Sequence, residues 1–106
     1  MIELSAGQLE IVQRILSDHL PGVEVRAFGS RVTGTAKSYS DLDLAVVTPT
    51  ALDHDALRRL REDFEDSTLP FRVDVVEWRT LSAGLQEAIA AANATIQPAG
   101  PPAEAS

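Results

Sequence analysis

The sequence contains no cysteine, which excludes disulfide bonds and thiolate metal sites. Basic residues are also scarce, because 9 lysines and arginines stand against 16 aspartates and glutamates and leave a net charge of −7. Proteins that bind free nucleic acid usually present a basic surface, so this charge weighs against a polymerase or an RNA-tailing enzyme. We therefore expect no direct nucleic-acid partner. An acidic surface instead suits a basic protein partner.

Long apolar runs are absent, and the first ten residues lack a basic start. We therefore predict neither a signal peptide nor a membrane span. The 106 residues, of which 44% are hydrophobic, suffice for one domain with a modest core but leave no room for a further substrate-binding lobe. We expect this domain to cover residues 1–97. The remaining segment 98–106, PAGPPAEAS, has the composition of a disordered tail.

Hydrophobic periodicity and capping residues predict helices that alternate with strands. Ser5 and Gln8 form a capping box at the start of the first helix, and Ser82 caps the last one. The predicted helices are Ser5–His19, a short one after Ser30, Leu52–Glu65 and Ser82–Ile96, and the predicted strands are Val23–Phe28, Leu42–Val47 and Phe71–Val76. This alternation favours α/β layering, and it leaves open whether the strands are parallel.

Three aspartates lie in or beside the last two predicted strands. Asp41 and Asp43 share one face in the run DLDLAVV, because side chains alternate along a strand, and Leu42 and Leu44 share the other face. Asp74 lies in the run FRVDVVEW. If the two strands are neighbours, three carboxylates converge, and a cation must offset their repulsion. Oxygen ligands favour Mg²⁺, and two such ions clamp an in-line displacement at phosphorus.

A Gly-Ser pair follows the first predicted strand. Gly29 lets the backbone approach a ligand closely, and the amides and hydroxyl of the turn at Ser30 suit an anionic phosphate group. Gly34 ends the short helix that follows. Arg31 is a candidate for a phosphate contact or for a solvated surface charge. Ser40 is a candidate for a phosphate contact or for a turn residue.

At these residues the sequence resembles the nucleotidyltransferase superfamily with a DNA-polymerase-β-like palm. The runs GSRVTGTAKSYSDLDLAVV and FRVDVVEW are similar to those of the minimal nucleotidyltransferase (MNT) proteins. The resemblance extends from about residue 9 to about residue 96. It implies a small mixed sheet of three or slightly more strands with helices packed against it.

The resemblance also implies roles for the candidate residues. Gly29 and Ser30 would hold the triphosphate of ATP, and Asp41 and Asp43 would bind Mg²⁺. Asp74 would complete the metal site or act as the general base on the acceptor hydroxyl. Many MNT proteins are antitoxins that transfer AMP to a tyrosine of a HEPN-domain ribonuclease toxin. The resemblance therefore implies a cytoplasmic protein adenylyltransferase that forms a hetero-oligomer with its toxin.

Two other functions remain open on the sequence. A protein with a vestigial metal site would neutralise its toxin by masking it. A small-molecule nucleotidyltransferase, of the kind that modifies aminoglycosides, would use the same residues on a different acceptor. The length argues against this last function, because such enzymes generally carry an extra lobe.

Overall fold

A computed structural model describes residues 2–100 of the chain. Helices and strands alternate through most of it, with a 3₁₀ turn at Trp78–Thr80. The helices are α1 (Ala6–His19), α2 (Ser30–Thr33), α3 (His54–Asp66) and α4 (Ala83–Ala91), and the strands are β1 (Glu24–Phe28), β2 (Leu42–Val47), β3 (Val73–Glu77) and β4 (Ala94–Gln97). Element types agree with the sequence prediction as far as Glu77, and the bounds differ by one or two residues.

The four strands form one mixed sheet in the order β3-β2-β1-β4. β1 pairs antiparallel with both β2 and β4, whereas β2 and β3 run parallel. This architecture confirms the predicted mixed α/β fold with a sheet slightly larger than three strands. The parallel pair matters for the site, because it places equivalent residues of β2 and β3 side by side.

The hydrophobic core lies on one face of the sheet, beneath α1 and α3. Leu42, Leu44 and Val46 of β2 are fully or almost fully buried there. The helices contribute Val12, Ile15, Leu16, Leu57, Leu60 and Phe64. Since side chains alternate across a strand, burial of the even-numbered residues of β2 turns Asp43 to the opposite face.

Side-chain caps start the three longer helices. The capping box predicted at α1 is confirmed, because Ser5 accepts from the Gln8 amide at 3.1 Å while Gln8 Oε1 accepts from the Ser5 amide at 3.0 Å. Asp53 accepts from the Ala56 amide at 3.1 Å and starts α3 two residues after the predicted position. Such caps contribute about 1 kcal/mol each.

The prediction for the last helix was wrong at its C-terminal end. α4 ends at Ala91, and Ala94–Gln97 forms a fourth strand beside β1 instead of continuing the helix. Asn93 ends the helix, because its side-chain amide donates to the Ile89 and Ala90 carbonyls at 2.9 and 3.2 Å. Within α4, Ile89 is buried, whereas Leu85 is 42% exposed.

Part of the predicted tail belongs to the described chain. The Gly100 amide donates to the Gly22 carbonyl at 3.2 Å, and residues 101–106 lie outside the described residues. None of the helices within residues 2–100 combines the length and the apolar character needed to cross a membrane.

Candidate active site

The Gly-Ser turn joins the end of β1 to the start of α2. Gly29 precedes the helix with a φ of +84° and a ψ of −158°, a conformation essentially reserved for glycine. The first intrahelical donors are the Val32 and Thr33 amides, which donate to the Gly29 carbonyl at 3.0 and 3.1 Å. Amides that precede them in a helix have no intrahelical acceptor and suit an anion. Gly34 ends α2 with a φ of +87°, as predicted.

Asp43 lies at the centre of the site, with one neighbour on each side. In the sheet register Asp43 is opposite Phe28 of β1 and Asp74 of β3. A Cβ atom added to Gly29 would lie 2.4 Å from Asp43 Oδ2, which is far closer than two such atoms approach. The Gly-Ser turn therefore packs directly on the Asp43 carboxylate, and only glycine fits at position 29.

The three aspartates line one open groove of about 840 Å³. Asp41 is exposed and immediately precedes β2, whereas Asp43 and Asp74 are partly buried. The groove continues along the edge strand β3 and is also lined by Tyr39, Arg61, Glu65, Phe71 and Arg72. Tyr39 is 70% exposed at its rim, within the segment that leads to Asp41. The predicted convergence of the carboxylates on one cleft agrees with this geometry.

The electrostatics of the groove favour a cation. Burial raises the pKa of the Asp43 carboxyl above its usual range, and the carboxylates of Asp74 and Asp41 raise it further. Among residues 2–100, no three His, Cys, Asp or Glu side chains are close enough to hold a metal ion by themselves. This is compatible with Mg²⁺, which commonly takes one or two carboxylates and completes its shell with water and substrate phosphates. The all-oxygen donor set therefore fits an ion that arrives with a nucleotide.

The raised pKa of Asp43 gives a pH dependence with a defined sign. The folded chain holds the Asp43 proton to higher pH than the unfolded chain does, so the free energy of unfolding falls as pH rises through the interval between the two pKa values. An Asp43→Asn variant lacks this contribution. We expect its Tm in EDTA, relative to wild type, to increase as pH rises through that interval and then to level off.

Thermal unfolding of both proteins across the acid and neutral range measures this difference. Saturating Mg²⁺ at neutral pH should reduce it, because the ion stabilises the carboxylate of the wild type only. A Tm difference between variant and wild type that stays constant or shrinks with rising pH would contradict the conclusion that the Asp43 charge destabilises the folded chain.

Both candidates for a side-chain phosphate contact, Arg31 and Ser40, form hydrogen bonds with the backbone. Arg31 is only 5% exposed, and its guanidinium donates to backbone carbonyls rather than pointing into open solvent. The Ser40 hydroxyl accepts from the Lys37 amide at 2.8 Å, which is the turn contact that the sequence left as its alternative. The Arg31 guanidinium is therefore held by backbone carbonyls, whereas the Ser40 hydroxyl accepts in its bond and keeps its own proton to donate.

Two residues of the groove were missed by the sequence analysis. Arg61 of α3 donates to the Val75 carbonyl at 2.9 Å and so covers part of the edge of β3. Phe71 lies beneath the Arg31 guanidinium, 4.1 Å from carbon to ring centroid. Both contacts join residues that are distant in the sequence, and no motif with a fixed spacing predicts either of them. Arg61 is one of many charged residues in α3, a pattern typical of a solvated helix face.

Comparisons with known proteins agree with this geometry. Residues 9–96 match the family model described as a nucleotidyltransferase domain. The chain is 45% identical over 96 residues to a probable protein adenylyltransferase MntA from Haemophilus influenzae, a match that covers 91% of this chain and 84% of that protein.

Solved structures with the same fold come from toxin–antitoxin pairs. A chain of a toxin–antitoxin crystal structure with AMP-PNP superposes with a TM-score of 0.69 at 27% identity, covering 85% of this chain and 73% of that one. A chain from the complex of tri-AMPylated Shewanella oneidensis HEPN toxin with MNT antitoxin gives a TM-score of 0.59 at 25% identity, covering 85% and 72%.

Proposed function

Because this chain belongs to the nucleotidyltransferase domain family, we propose that it is an antitoxin that transfers AMP from ATP to a tyrosine hydroxyl of a partner HEPN toxin. The contact between the Gly29 backbone and the Asp43 carboxylate carries this proposal. It places a turn suited to phosphate beside carboxylates suited to Mg²⁺, and a nucleoside triphosphate with its metal needs both. The 45% identity to a probable protein adenylyltransferase supports protein as the acceptor.

Each site residue takes a role that its position allows. Gly29 and Ser30 bind the triphosphate through the turn, and Asp41 and Asp43 hold Mg²⁺ that arrives with ATP. Bound there, Mg²⁺ would neutralise the charge that develops on the phosphate oxygens. Asp74 is the register partner of Asp43 on the edge strand, where it is near the open groove. We assign it to the acceptor side, where it takes the proton of the tyrosine hydroxyl; the alternative role is that it would complete the metal site with Asp41 and Asp43.

The reaction is an in-line displacement at the α-phosphorus of ATP. The tyrosine oxygen forms a bond to this phosphorus, the bond to the bridging oxygen of pyrophosphate breaks, and pyrophosphate leaves with the bonding electrons. The hydroxyl proton passes to Asp74. Positioning of the two reactants and stabilisation of charge account for most of the acceleration in this class of reaction.

The acceptor approaches along the open side of the groove. Tyr39 stands exposed at the rim, where an aromatic side chain suits contact with a protein surface. The net charge of −7 attracts a partner with a basic surface around its tyrosine. Use of ATP places this reaction in the cytoplasm.

The test is an intact-mass measurement on a co-expressed HEPN partner after incubation with this protein and Mg-ATP. We expect the partner to gain the mass of one or more AMP units and its ribonuclease activity to fall in parallel. EDTA and omission of ATP should each prevent the gain. The Asp41→Ala/Asp43→Ala double variant serves as the control for the site.

Two results would replace this proposal. Neutralisation of the toxin by the double variant, through a stable complex and without a mass gain, would show that the protein masks its partner. No gain and no complex would move the search to small hydroxylated acceptors, such as aminoglycosides with Mg-ATP. Loss of the mass gain together with restored toxicity in the double variant would support transfer.

A further inference from the structure

Arg31 has its guanidinium buried against the backbone of the site. Its Nε donates to the Ser40 carbonyl at 2.9 Å, and its Nη1 donates to the Glu3 carbonyl at 2.8 Å. Its Nη2 donates to the Ser38 and Lys37 carbonyls at 3.0 and 3.3 Å. Three of these four acceptors belong to the segment Lys37–Ser40, which ends immediately before Asp41.

The flat face of the same guanidinium lies on an aromatic ring. Its central carbon is 4.1 Å from the centroid of Phe71, a distance at which cation and ring attract each other. Phe71 is 9% exposed and precedes Asp74 by three residues in the sequence. Arg31 is itself two residues after Gly29. One side chain therefore contacts the segments that carry the phosphate turn, Asp41 and Asp74.

The chemistry of this contact requires arginine. A guanidinium has five N–H donors in a rigid plane and remains able to stack on a ring, whereas the lysine ammonium is a compact charge with three donors and no plane. The acceptors among residues 2–100 are neutral carbonyls, so the hydrogen bonds must offset the cost of burying the charge. The donors of the Arg31 side chain are thus mostly used in hydrogen bonds to backbone carbonyls.

We propose that Arg31 is a positioning residue that sets the distance between the Gly-Ser turn and the carboxylates of Asp41 and Asp74. Its N–H donors hold the Lys37–Ser40 segment, and its flat face packs on Phe71, two residues before β3. An in-line displacement requires the phosphate and the metal-binding groups in one geometry, and an error of about 1 Å costs about a hundredfold in rate. The proposal rests on the proposed nucleotidyl transfer, and it assigns Arg31 no contact with substrate.

The Arg31→Lys variant separates positioning from a direct phosphate contact. Lysine keeps the charge but cannot form the fork, so positioning predicts that kcat for AMP transfer falls by about 10- to 100-fold while the Kd of Mg-AMP-PNP, measured by calorimetry, changes little. A phosphate contact predicts that lysine largely keeps both values. It also predicts that Arg31→Gln, which removes the charge, weakens AMP-PNP binding most.

The Phe71→Leu variant tests the same idea from the other face of the guanidinium. Leucine keeps an apolar side chain at this buried position but removes the aromatic platform. Positioning predicts a fall in kcat in the same direction as for Arg31→Lys, whereas a phosphate contact predicts none. This variant also decides the matter if Arg31→Lys does not fold.

A measurement that needs no acceptor distinguishes this inference from the proposed function. Hydrogen exchange of the full chain should show faster exchange at the Ser40 and Leu42 amides in Arg31→Lys than in wild type. These changes would support positioning even if the wild-type protein modified no HEPN partner. Wild-type exchange rates and a wild-type kcat in both Arg31→Lys and Phe71→Leu would overturn it.

Discussion

Replacement of Asp43 by asparagine is expected to reduce AMP transfer by about a thousandfold or more, because a central oxygen ligand and its charge are lost from the site. Asparagine has nearly the shape of aspartate, so the Gly29 contact and the register with Asp74 should persist. The neutral side chain also ends the repulsion that raises the Asp43 pKa. We therefore expect the folded variant, without metal at neutral pH, to be at least as stable as wild type.

This combination of lost activity and retained stability separates a catalytic role from a structural one. Initial rates of AMP transfer and thermal unfolding in EDTA measure the two quantities. Asp53→Asn is a matched control, since Asp53 caps α3 away from the groove and asparagine caps as well as aspartate does. Its transfer rate should equal that of wild type. An Asp43→Asn variant with a normal rate would remove Asp43 from the chemistry.

Asp41→Asn should show a different pattern. Asp41 is exposed, so its charge is largely solvated, and its loss should leave the Tm almost unchanged while transfer still falls steeply. Equal gains in stability from both substitutions would contradict the burial argument made for Asp43.

Replacement of Gly29 by alanine is expected to damage both the fold and the site. The backbone conformation at Gly29 is essentially closed to other residues, and the new methyl carbon would lie only 2.4 Å from Asp43 Oδ2. Strain of this kind costs about 1–3 kcal/mol before any clash is counted. Displacement of Asp43 by about 1 Å should lower transfer by a further hundredfold or so. We expect a lower Tm together with near-complete loss of activity.

Gly34→Ala provides the matched control within the same turn and helix. Gly34 also has a positive φ, but a Cβ atom there would meet only Glu3 Oε2 at 3.5 Å, which is ordinary contact. Its cost should be about 1–2 kcal/mol, or a Tm lower by about 5–10 °C, because only the left-handed conformation is penalised. At a temperature where both variants remain folded, Gly34→Ala should retain transfer and Gly29→Ala should not. Equal activities would show that contact with Asp43 has no catalytic consequence.

The limits of sequence-based inference are clearest at the C-terminal end of the domain. The sequence pattern from Ser82 predicts a helix as far as Ile96, although Thr95 and Ile96 have the β-branched side chains typical of strands. Residues 94–97 form a strand because they pair antiparallel with the edge of β1. The local sequence of this segment carries no information about that edge. Arg31 was similarly ambiguous. Its acceptors are carbonyls of Glu3 and the Lys37–Ser40 segment, which carry no pattern of their own.

Features that depend on local chemistry could be predicted from the order of the residues alone. Period-two alternation placed Asp41 and Asp43 on the face opposite the core, glycine marked the turn, and Ser5 marked the start of α1. How these features come together in space depends instead on contacts between distant segments. The parallel pairing of β2 with β3 sets Asp43 beside Asp74, and the close approach of the first turn to β2 explains why position 29 must be glycine. Register and distance between segments arise from packing of the whole chain, and no short stretch of residues specifies them.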